Sequence, residues 1–144
     1  MTRPSRSALI VSDSAPLRRY AVSSLKAIRF SCTEAINGFH AMDRLYERLF
    51  DIYVIDLDMQ TSDGMSIFAI TLSGGLRDPS PIVIGISSRP ETEGRNAPWN
   101  ETLNLAALIP KPFRPSDLIA AADAALAEEA KGMRAIVAPS HGSG

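Results

Sequence analysis

The stretch Ile52-Tyr53-Val54-Ile55-Asp56-Leu57-Asp58 decides the fold of this chain. Its first four residues are a short continuous apolar run, which is typical of a strand buried on both faces of a sheet. Strands of that kind belong to parallel sheets that helices cover on both sides. Because the run leads directly into acidic residues, we expect the carboxyl groups of Asp56 and Asp58 at the carboxyl end of a buried strand.

Apolar runs alternate with stretches of helical periodicity on either side of this strand. Four further strands are predicted at residues 8–12, 30–35, 82–86 and 106–109. The predicted helices comprise about residues 15–28, an apolar stripe from 41 to 49, a stretch after Asp63-Gly64 and a last helix from Pro115. This alternation predicts a doubly wound α/β fold around a five-stranded parallel sheet.

Two parts of the chain depart from this alternation. Between residues 89 and 104, Gly94 and Pro98 interrupt the expected helix, so a short, displaced or mobile element is predicted there. From Gly132 onward the sequence is typical of a frayed terminus. We therefore predict an N-terminal extension at 1–7, one domain at 8–127 and a C-terminal tail at 128–144.

Composition excludes several classes of function. The 144 residues include 45% hydrophobic ones, which suits one globular domain with one core. Fifteen basic and sixteen acidic side chains give a net charge of −1, which argues against nucleic acid or a membrane surface as a partner. A lone cysteine, Cys32, and two histidines, His40 and His141, cannot assemble a four-ligand zinc site unaided.

The N-terminus does not read as a secretory signal. Its apolar stretch, Ala8 to Val11, is followed at once by Ser12-Asp13-Ser14 and is far too short for a signal core. No apolar run approaches the roughly 18 to 20 residues that a membrane helix needs. We expect a soluble, cytoplasmic protein.

Polar residues follow four of the predicted strands and are expected to converge at one edge of the sheet. They are Asp13, Asp56, Ser87 and Lys111. Two carboxylates at one edge repel each other, and a divalent cation such as Mg²⁺ relieves that repulsion. A hydroxyl and an ammonium opposite them would complete a cradle for an oxyanion, which suits a phosphoryl group carried on a carboxylate.

At this point the chain resembles the receiver domain of bacterial two-component response regulators, the flavodoxin-like fold typified by CheY. The resemblance covers about residues 8–127 and implies the strand order 2-1-3-4-5. It rests on five pieces in family order: Leu9-Ile10-Val11-Ser12-Asp13, the stretch 35–42 around Asn37-Gly38, the stretch 51–64, the stretch 81–88, and Lys111-Pro112-Phe113.

The resemblance implies a role for each of five residues. Asp56 matches the phosphoacceptor, which takes a phosphoryl group from a sensor histidine kinase, a histidine phosphotransfer protein or a small donor. Asp13 matches the acid that coordinates Mg²⁺, and the backbone carbonyl of Asp58 matches a further metal ligand. Ser87 and Lys111 match the hydroxyl and the ammonium that bind the phosphoryl oxygens.

Several positions depart from the family pattern. Ser12 stands where a second acid is usual, which predicts weaker Mg²⁺ binding because affinity follows the charge of the ligands. Gln60 replaces a proline, and Leu108 stands where an aromatic ring normally rotates on activation. Lys111-Pro112 is where the family usually has a cis peptide.

Plainer interpretations stand beside these roles. Asp13 is also a good local candidate to cap the first helix. Ser88 is the alternative to Ser87, and Arg89 is either a phosphoryl contact or a solvated arginine. Cys32 is expected to be a small buried hydrophobe. Trp99 anchors either its own irregular segment or a partner.

Three functions fit the sequence to different degrees. The first is a single-domain receiver, not an enzyme, which is phosphorylated on Asp56 and signals by protein contact; whether two copies associate is left open. The alternative is a pseudo-receiver that binds partners without phosphorylation, as Ser12 and Leu108 suggest. A distant third is a haloacid-dehalogenase-type phosphatase, because Asp56-Leu57-Asp58 resembles the nucleophile motif of that family.

Overall fold

The computed structural model describes residues 6–74, 80–89 and 98–137. Its five strands are β1 (Arg6–Val11), β2 (Phe30–Ala35), β3 (Ile52–Asp56), β4 (Ile82–Ser87) and β5 (Leu105–Pro110). Its four α-helices are α1 (Ala15–Lys26), α2 (Gly38–Glu47), α3 (Asp63–Ser73) and α4 (Pro115–Val137), and Pro98–Asn100 form a 3-10 turn. The strands form one parallel sheet in the order β2-β1-β3-β4-β5, so the predicted fold is confirmed.

Both faces of the sheet are covered, as the continuous apolar strands require. Alternate residues of β1 and β3 point to opposite sides. Leu9 and Tyr53 belong to the core on one side, with residues of α2 and α3, whereas Ile10 and Val54 belong to the core on the other side, with residues of α1 and α4. The core therefore consists of two apolar layers with the sheet between them.

The topology indicates that a ligand site lies at the carboxyl ends of the strands. The chain leaves β1 to build β2 on one side and then crosses over to β3 on the other side. The crevice at such a switch point, at the carboxyl ends of the strands, is where open α/β sheets bind ligands. Ser12 and Asp13 follow β1 directly, and Asp56 is the last residue of β3.

The ends of the chain differ from the prediction. Arg6 and Ser7 belong to β1 rather than to an extension. The last helix continues to Val137, so the first part of the predicted tail is helical. Good helix formers between Leu126 and Met133 outweigh the roughly 1 kcal/mol that Gly132 costs. Residues 138–144 lie outside the described part of the chain.

The irregular segment between β4 and β5 is described only in part, since residues 90–97 lie outside the described ranges. Trp99 is 2% exposed, and its indole N–H donates a 2.8 Å hydrogen bond to the carbonyl of Met59. The side-chain amide of Asn100 donates to the carbonyl of Leu57 at 3.4 Å. Trp99 therefore anchors its own segment to the loop after β3. Among the described helices, none is both long and apolar enough to span a bilayer.

Candidate phosphoacceptor site

Asp56 is a buried carboxylate at the centre of the switch-point crevice. The residue is 3% exposed, and both carboxylate oxygens accept hydrogen bonds. Oδ2 accepts from the hydroxyl of Ser12 at 2.7 Å. Oδ1 accepts from the backbone N–H of Asp58 at 3.0 Å and from the ammonium of Lys111 at 3.0 Å. Hydrogen bonds and an ion pair of this kind are what a buried charge needs.

Lys111 joins two carboxylates at the end of β5. Its backbone N–H donates to the carbonyl of Ser87 at 2.8 Å, and the peptide bond to Pro112 is cis. The ammonium lies 3.0 Å from Asp56 Oδ1 and 2.9 Å from Asp58 Oδ2. Burial lowers the pKa of Lys111, but the hydrogen bonds that its ammonium donates to Asp58 and Asp56 outweigh burial and raise that pKa above its ordinary value. Lys111 is therefore cationic at neutral pH.

Three donors at this edge converge on one position. The hydroxyl of Ser87 donates to Oδ1 of Asp58 at 3.2 Å, and the backbone N–H of Ser88 donates to Oδ2 of Asp58 at 2.9 Å. Lys111 is the third donor, at 2.9 Å from Oδ2. We call these three groups, the Ser87 hydroxyl, the Ser88 N–H and the Lys111 ammonium, the oxyanion cradle.

Asp58 uses its side chain in a way that the sequence did not predict. The prediction assigned Asp58 to a metal ion, through its backbone carbonyl and, by way of water, through its side chain, whereas the structure shows its carboxylate filling the oxyanion cradle. Burial raises the pKa of Asp58, but hydrogen bonds from Lys111 and Ser88 lower that pKa to below 3.8 overall. The sequence signal that could have indicated this role is the second acid of Asp56-Leu57-Asp58, two positions after the predicted phosphoacceptor.

Ser12 is held firmly beside Asp56. It is fully buried, and its hydroxyl oxygen also accepts from the N–H of Ser14 at 3.0 Å. The guanidinium of Arg18 donates to its carbonyl at 2.7 Å and pairs with Glu34 at 2.9 Å. A neutral hydroxyl thus occupies the place of the acid that the family resemblance leads one to expect.

Asp13 stands apart from this cluster of bonds. Its side chain is exposed, and within the described ranges it makes neither a hydrogen bond nor an ion pair. It does not cap α1 either, because Ser14 is the N-cap and accepts from the N–H of Leu17 at 3.2 Å. The structure places Asp13 directly after β1, at the predicted edge, and among the described residues no hydrogen bond or ion pair ties its carboxylate to the site.

The oxygen ligands at this edge can be compared with those that Mg²⁺ requires. Within the described residues no group of three or more histidine, cysteine or acidic side chains is arranged to hold a metal. Mg²⁺ is usually held by only one or two carboxylates together with water and phosphate oxygens. The carboxylates of Asp13 and Asp56 and the carbonyl of Asp58 satisfy that requirement in number, with one acid fewer because of Ser12.

Cys32 and His40 are less simply placed than the sequence suggested, whereas Arg89 agrees with one of its two interpretations, a solvated arginine. Cys32 is half-buried rather than buried, and burial raises its pKa to about 11. The side chain of Arg89 is exposed, while its backbone N–H donates to the hydroxyl of Ser87 at 3.0 Å. His40 accepts from the N–H of Ile36 at 3.1 Å and is half-buried.

Comparison with known proteins identifies the family. The family model described as the response regulator receiver domain matches residues 8–123, and the chain belongs to that family. It is therefore a receiver domain of two-component signalling. Receiver domains are signalling modules rather than enzymes, so the phosphatase interpretation is not retained. They interact in general with kinases or phosphotransfer proteins, and they typically bind Mg²⁺ in an acidic pocket.

Solved structures share this fold at low sequence identity. The chemotaxis response regulator CheY4 of Vibrio cholerae is 17% identical, with a TM-score of 0.71 over 85% of this chain and 99% of that one. A CheY-like receiver domain protein from Methanospirillum hungatei JF-1 is 18% identical, with a TM-score of 0.72 over 90% and 99%. A sensor protein from Polaromonas sp. JS666 is 20% identical, with a TM-score of 0.72 over 87% and 98%. A search of curated proteins found no significant match.

Proposed function

We propose that this receiver domain accepts a phosphoryl group on Asp56 from a sensor histidine kinase or a histidine phosphotransfer protein and then signals by protein contact in the cytoplasm. One observation carries the proposal: the Lys111 ammonium lies 3.0 Å from the buried carboxylate of Asp56. That ammonium pairs with the buried carboxylate and is close enough to bind a negative charge that builds up beside it.

The chemistry that this site supports is transfer to a carboxylate. One oxygen of Asp56 forms a bond to phosphorus while the bond from phosphorus to the donor's imidazole nitrogen breaks, which leaves an acyl phosphate and a free imidazole. The Ser87 hydroxyl, the Ser88 N–H and the Lys111 ammonium are the donors available to the phosphoryl oxygens. The protein contributes position and charge stabilisation, which is most of what phosphoryl transfer requires.

Mg²⁺ is the proposed cofactor of this transfer. Asp13, Asp56 and the backbone carbonyl of Asp58 would hold the ion. When bound, Mg²⁺ supplies positive charge that screens the donor phosphate from the acidic edge. Because Ser12 contributes no charge, we expect binding weaker than a site with one more acid would show.

Incubation with acetyl phosphate and Mg²⁺, followed by intact mass spectrometry, tests the proposal. We expect one added phosphoryl group, and we expect Asp56→Asn to show none. Asp43→Asn is the matched control, because Asp43 is exposed on α2 and the same charge is removed there. Failure of every donor to modify the wild-type chain would refute phosphorylation.

A pseudo-receiver is the second candidate, and the Ser12 hydrogen bond favours it. The Ser12 hydroxyl occupies Oδ2 of Asp56 at 2.7 Å, so an oxygen that a metal could use is already bonded. A titration with Mg²⁺, monitored by the fluorescence of Trp99, distinguishes the phosphorylated receiver from the pseudo-receiver. No saturable change at millimolar Mg²⁺ favours the pseudo-receiver, whereas phosphorylation that alters partner affinity excludes it.

A further inference from the structure

The Asp58 carboxylate fills the cradle that the proposed function reserves for phosphoryl oxygens. Each of the three donors is already bonded to it, Ser87 at 3.2 Å, Ser88 at 2.9 Å and Lys111 at 2.9 Å. We propose that Asp58 is an internal anion that closes the oxyanion cradle and must rotate out before a phosphoryl group can enter. This inference rests on the proposed function, since it concerns the same site.

The match between Asp58 and the cradle is chemical as well as spatial. Both carboxylate oxygens are used, Oδ1 by the hydroxyl and Oδ2 by the N–H and the ammonium. A carboxylate thus presents two charged oxygens to the donors that two oxygens of a phosphoryl group would use. Such charge-assisted hydrogen bonds are stronger than neutral ones, so the occupant is well held.

Charge makes simultaneous occupancy unfavourable. Lys111 is shared between Asp56 and Asp58, and a phosphoryl group would add further negative charge beside both carboxylates. Like charges at contact distance repel strongly where solvent is largely excluded. The incoming group and the Asp58 side chain therefore compete for the same ammonium.

The loop around Asp58 allows its side chain to leave without moving the backbone. The N–H of Asp58 is fixed to Asp56 Oδ1 at 3.0 Å, and the carbonyls of Leu57 and Met59 are held by Asn100 and Trp99. The Asp58 side chain itself is 22% exposed, so it has an open side towards solvent. Rotation of this one side chain is sufficient to open the cradle.

Titration with inorganic phosphate, followed by the amide resonance of Ser88 in ¹H–¹⁵N spectra, tests the occupancy directly. When the competent state is only a fraction of the population, apparent affinity falls by that fraction. We therefore expect Asp58→Ala to lower the half-saturating phosphate concentration by about tenfold or more relative to wild type. Asp58→Asn keeps an acceptor oxygen but loses the charge, and we expect an intermediate gain.

Two control variants separate occupancy from general charge. Asp43→Asn removes one negative charge from α2 and is expected to bind phosphate as wild type does. In buffer without divalent metal, where the metal role proposed for Asp13 does not operate, Asp13→Asn removes a carboxylate from the same edge outside the cradle, and we expect at most about a threefold gain, on the scale of screened surface charges. A gain in Asp13→Asn equal to that in Asp58→Ala, equal half-saturation in wild type and Asp58→Ala, or no binding to either would each overturn the proposal.

Initial rates of modification by acetyl phosphate distinguish this proposal from the proposed function. Phosphorylation of Asp56 and closure of the cradle by Asp58 are both supported if Asp58→Ala binds phosphate more tightly than wild type and is modified faster on Asp56. Tighter phosphate binding with no adduct in any variant supports the internal anion and refutes phosphorylation. Equal phosphate affinity with normal adduct formation supports phosphorylation and refutes the internal anion.

Discussion

The hydroxyl of Ser12 donates a 2.7 Å hydrogen bond to Oδ2 of Asp56. Ser12 is fully buried, and its own oxygen accepts from the backbone of Ser14, so its hydrogen is committed to the carboxylate. A hydrogen-bond donor therefore stands beside the carboxylate of Asp56 at the position where a second acid would repel it. Without a ligand, this site therefore has less charge repulsion than a site with a second acid at position 12. It also offers a metal ion one charged ligand fewer.

Ser12→Asp should strengthen Mg²⁺ binding and lower the stability of the metal-free protein. The added carboxylate should bring the half-saturating Mg²⁺ concentration down by about tenfold or more, because a further charged ligand close to a divalent ion is strongly attracted to it. The metal-free variant should be less stable than wild type, since Asp56 then faces a like charge. Trp99 fluorescence during Mg²⁺ titration is the measurement. Unchanged or weaker Mg²⁺ binding would count against the assigned metal ligands.

Lys111→Met should destabilise the fold, because it leaves the carboxylates of Asp56 and Asp58 without their shared cation. Breaking a fully buried pair costs about 3–5 kcal/mol; since 26% of the Lys111 side chain is exposed, we expect about 2 kcal/mol. Urea unfolding at neutral pH measures the difference.

Lys131→Met provides the comparison for that substitution. The Lys131 side chain is 70% exposed, and its ammonium lies 3.9 Å from Glu128 on the same helix. An exposed pair of this kind contributes less than about 1 kcal/mol. Equal unfolding midpoints for Lys111→Met and Lys131→Met would mean that the bridge between the two carboxylates has no structural role.

The pH dependence of stability should report the carboxylate of Asp58. Burial raises its pKa, but the hydrogen bonds from Lys111 and Ser88 outweigh burial, so the folded-state pKa lies below 3.8. The stability that Asp58 contributes is therefore present above that value and lost as pH falls through the folded-state pKa. In urea unfolding between about pH 7 and about pH 3, wild type should lose its advantage over Asp58→Ala at the acidic end. Parallel profiles would contradict this.

Gly38 lies at a close approach between α2 and the start of α3. A Cβ at this position would overlap the backbone of Gly64 and Met65, which cannot move aside as a flexible side chain can. Gly38→Ala should lower the free energy of unfolding by about 2 kcal/mol or more.

Gly132→Ala is the matched opposite case. Gly132 lies in α4, and a Cβ there would meet nothing within 4 Å. The same substitution should stabilise by about 0.5–1 kcal/mol, because alanine forms helix better than glycine. Thermal or urea unfolding of both variants is the check. A Gly38→Ala variant as stable as wild type would contradict the described packing of α2 on α3, and a destabilised Gly132→Ala variant would contradict the open space at Gly132.

The pairing of Asp56 with Lys111 was accessible from the sequence. Short apolar runs fix the strands, alternation with helices fixes a parallel sheet, and such a sheet brings its carboxyl ends together. The fold and the meeting of Asp56, Ser87 and Lys111 follow from that geometry without knowledge of any contact.

The direction of the Asp58 side chain could not be predicted from the sequence in this way. It depends on the loop after β3, where Trp99 and Asn100 hold the neighbouring carbonyls from a distant segment. Likewise, Asp13 and Ser14 are both good caps, and only the backbone geometry decides for Ser14. Local residue preferences do not contain such long-range contacts.

Identification of the modified carboxylate tests the central claim most directly. After treatment with acetyl phosphate and Mg²⁺, borohydride reduction converts an acyl phosphate on aspartate to homoserine, which tandem mass spectrometry locates in the chain. We expect homoserine at position 56 alone. Homoserine at position 13 or 58, or none in a chain that binds Mg²⁺, would contradict the assignment of Asp56 as the phosphoacceptor.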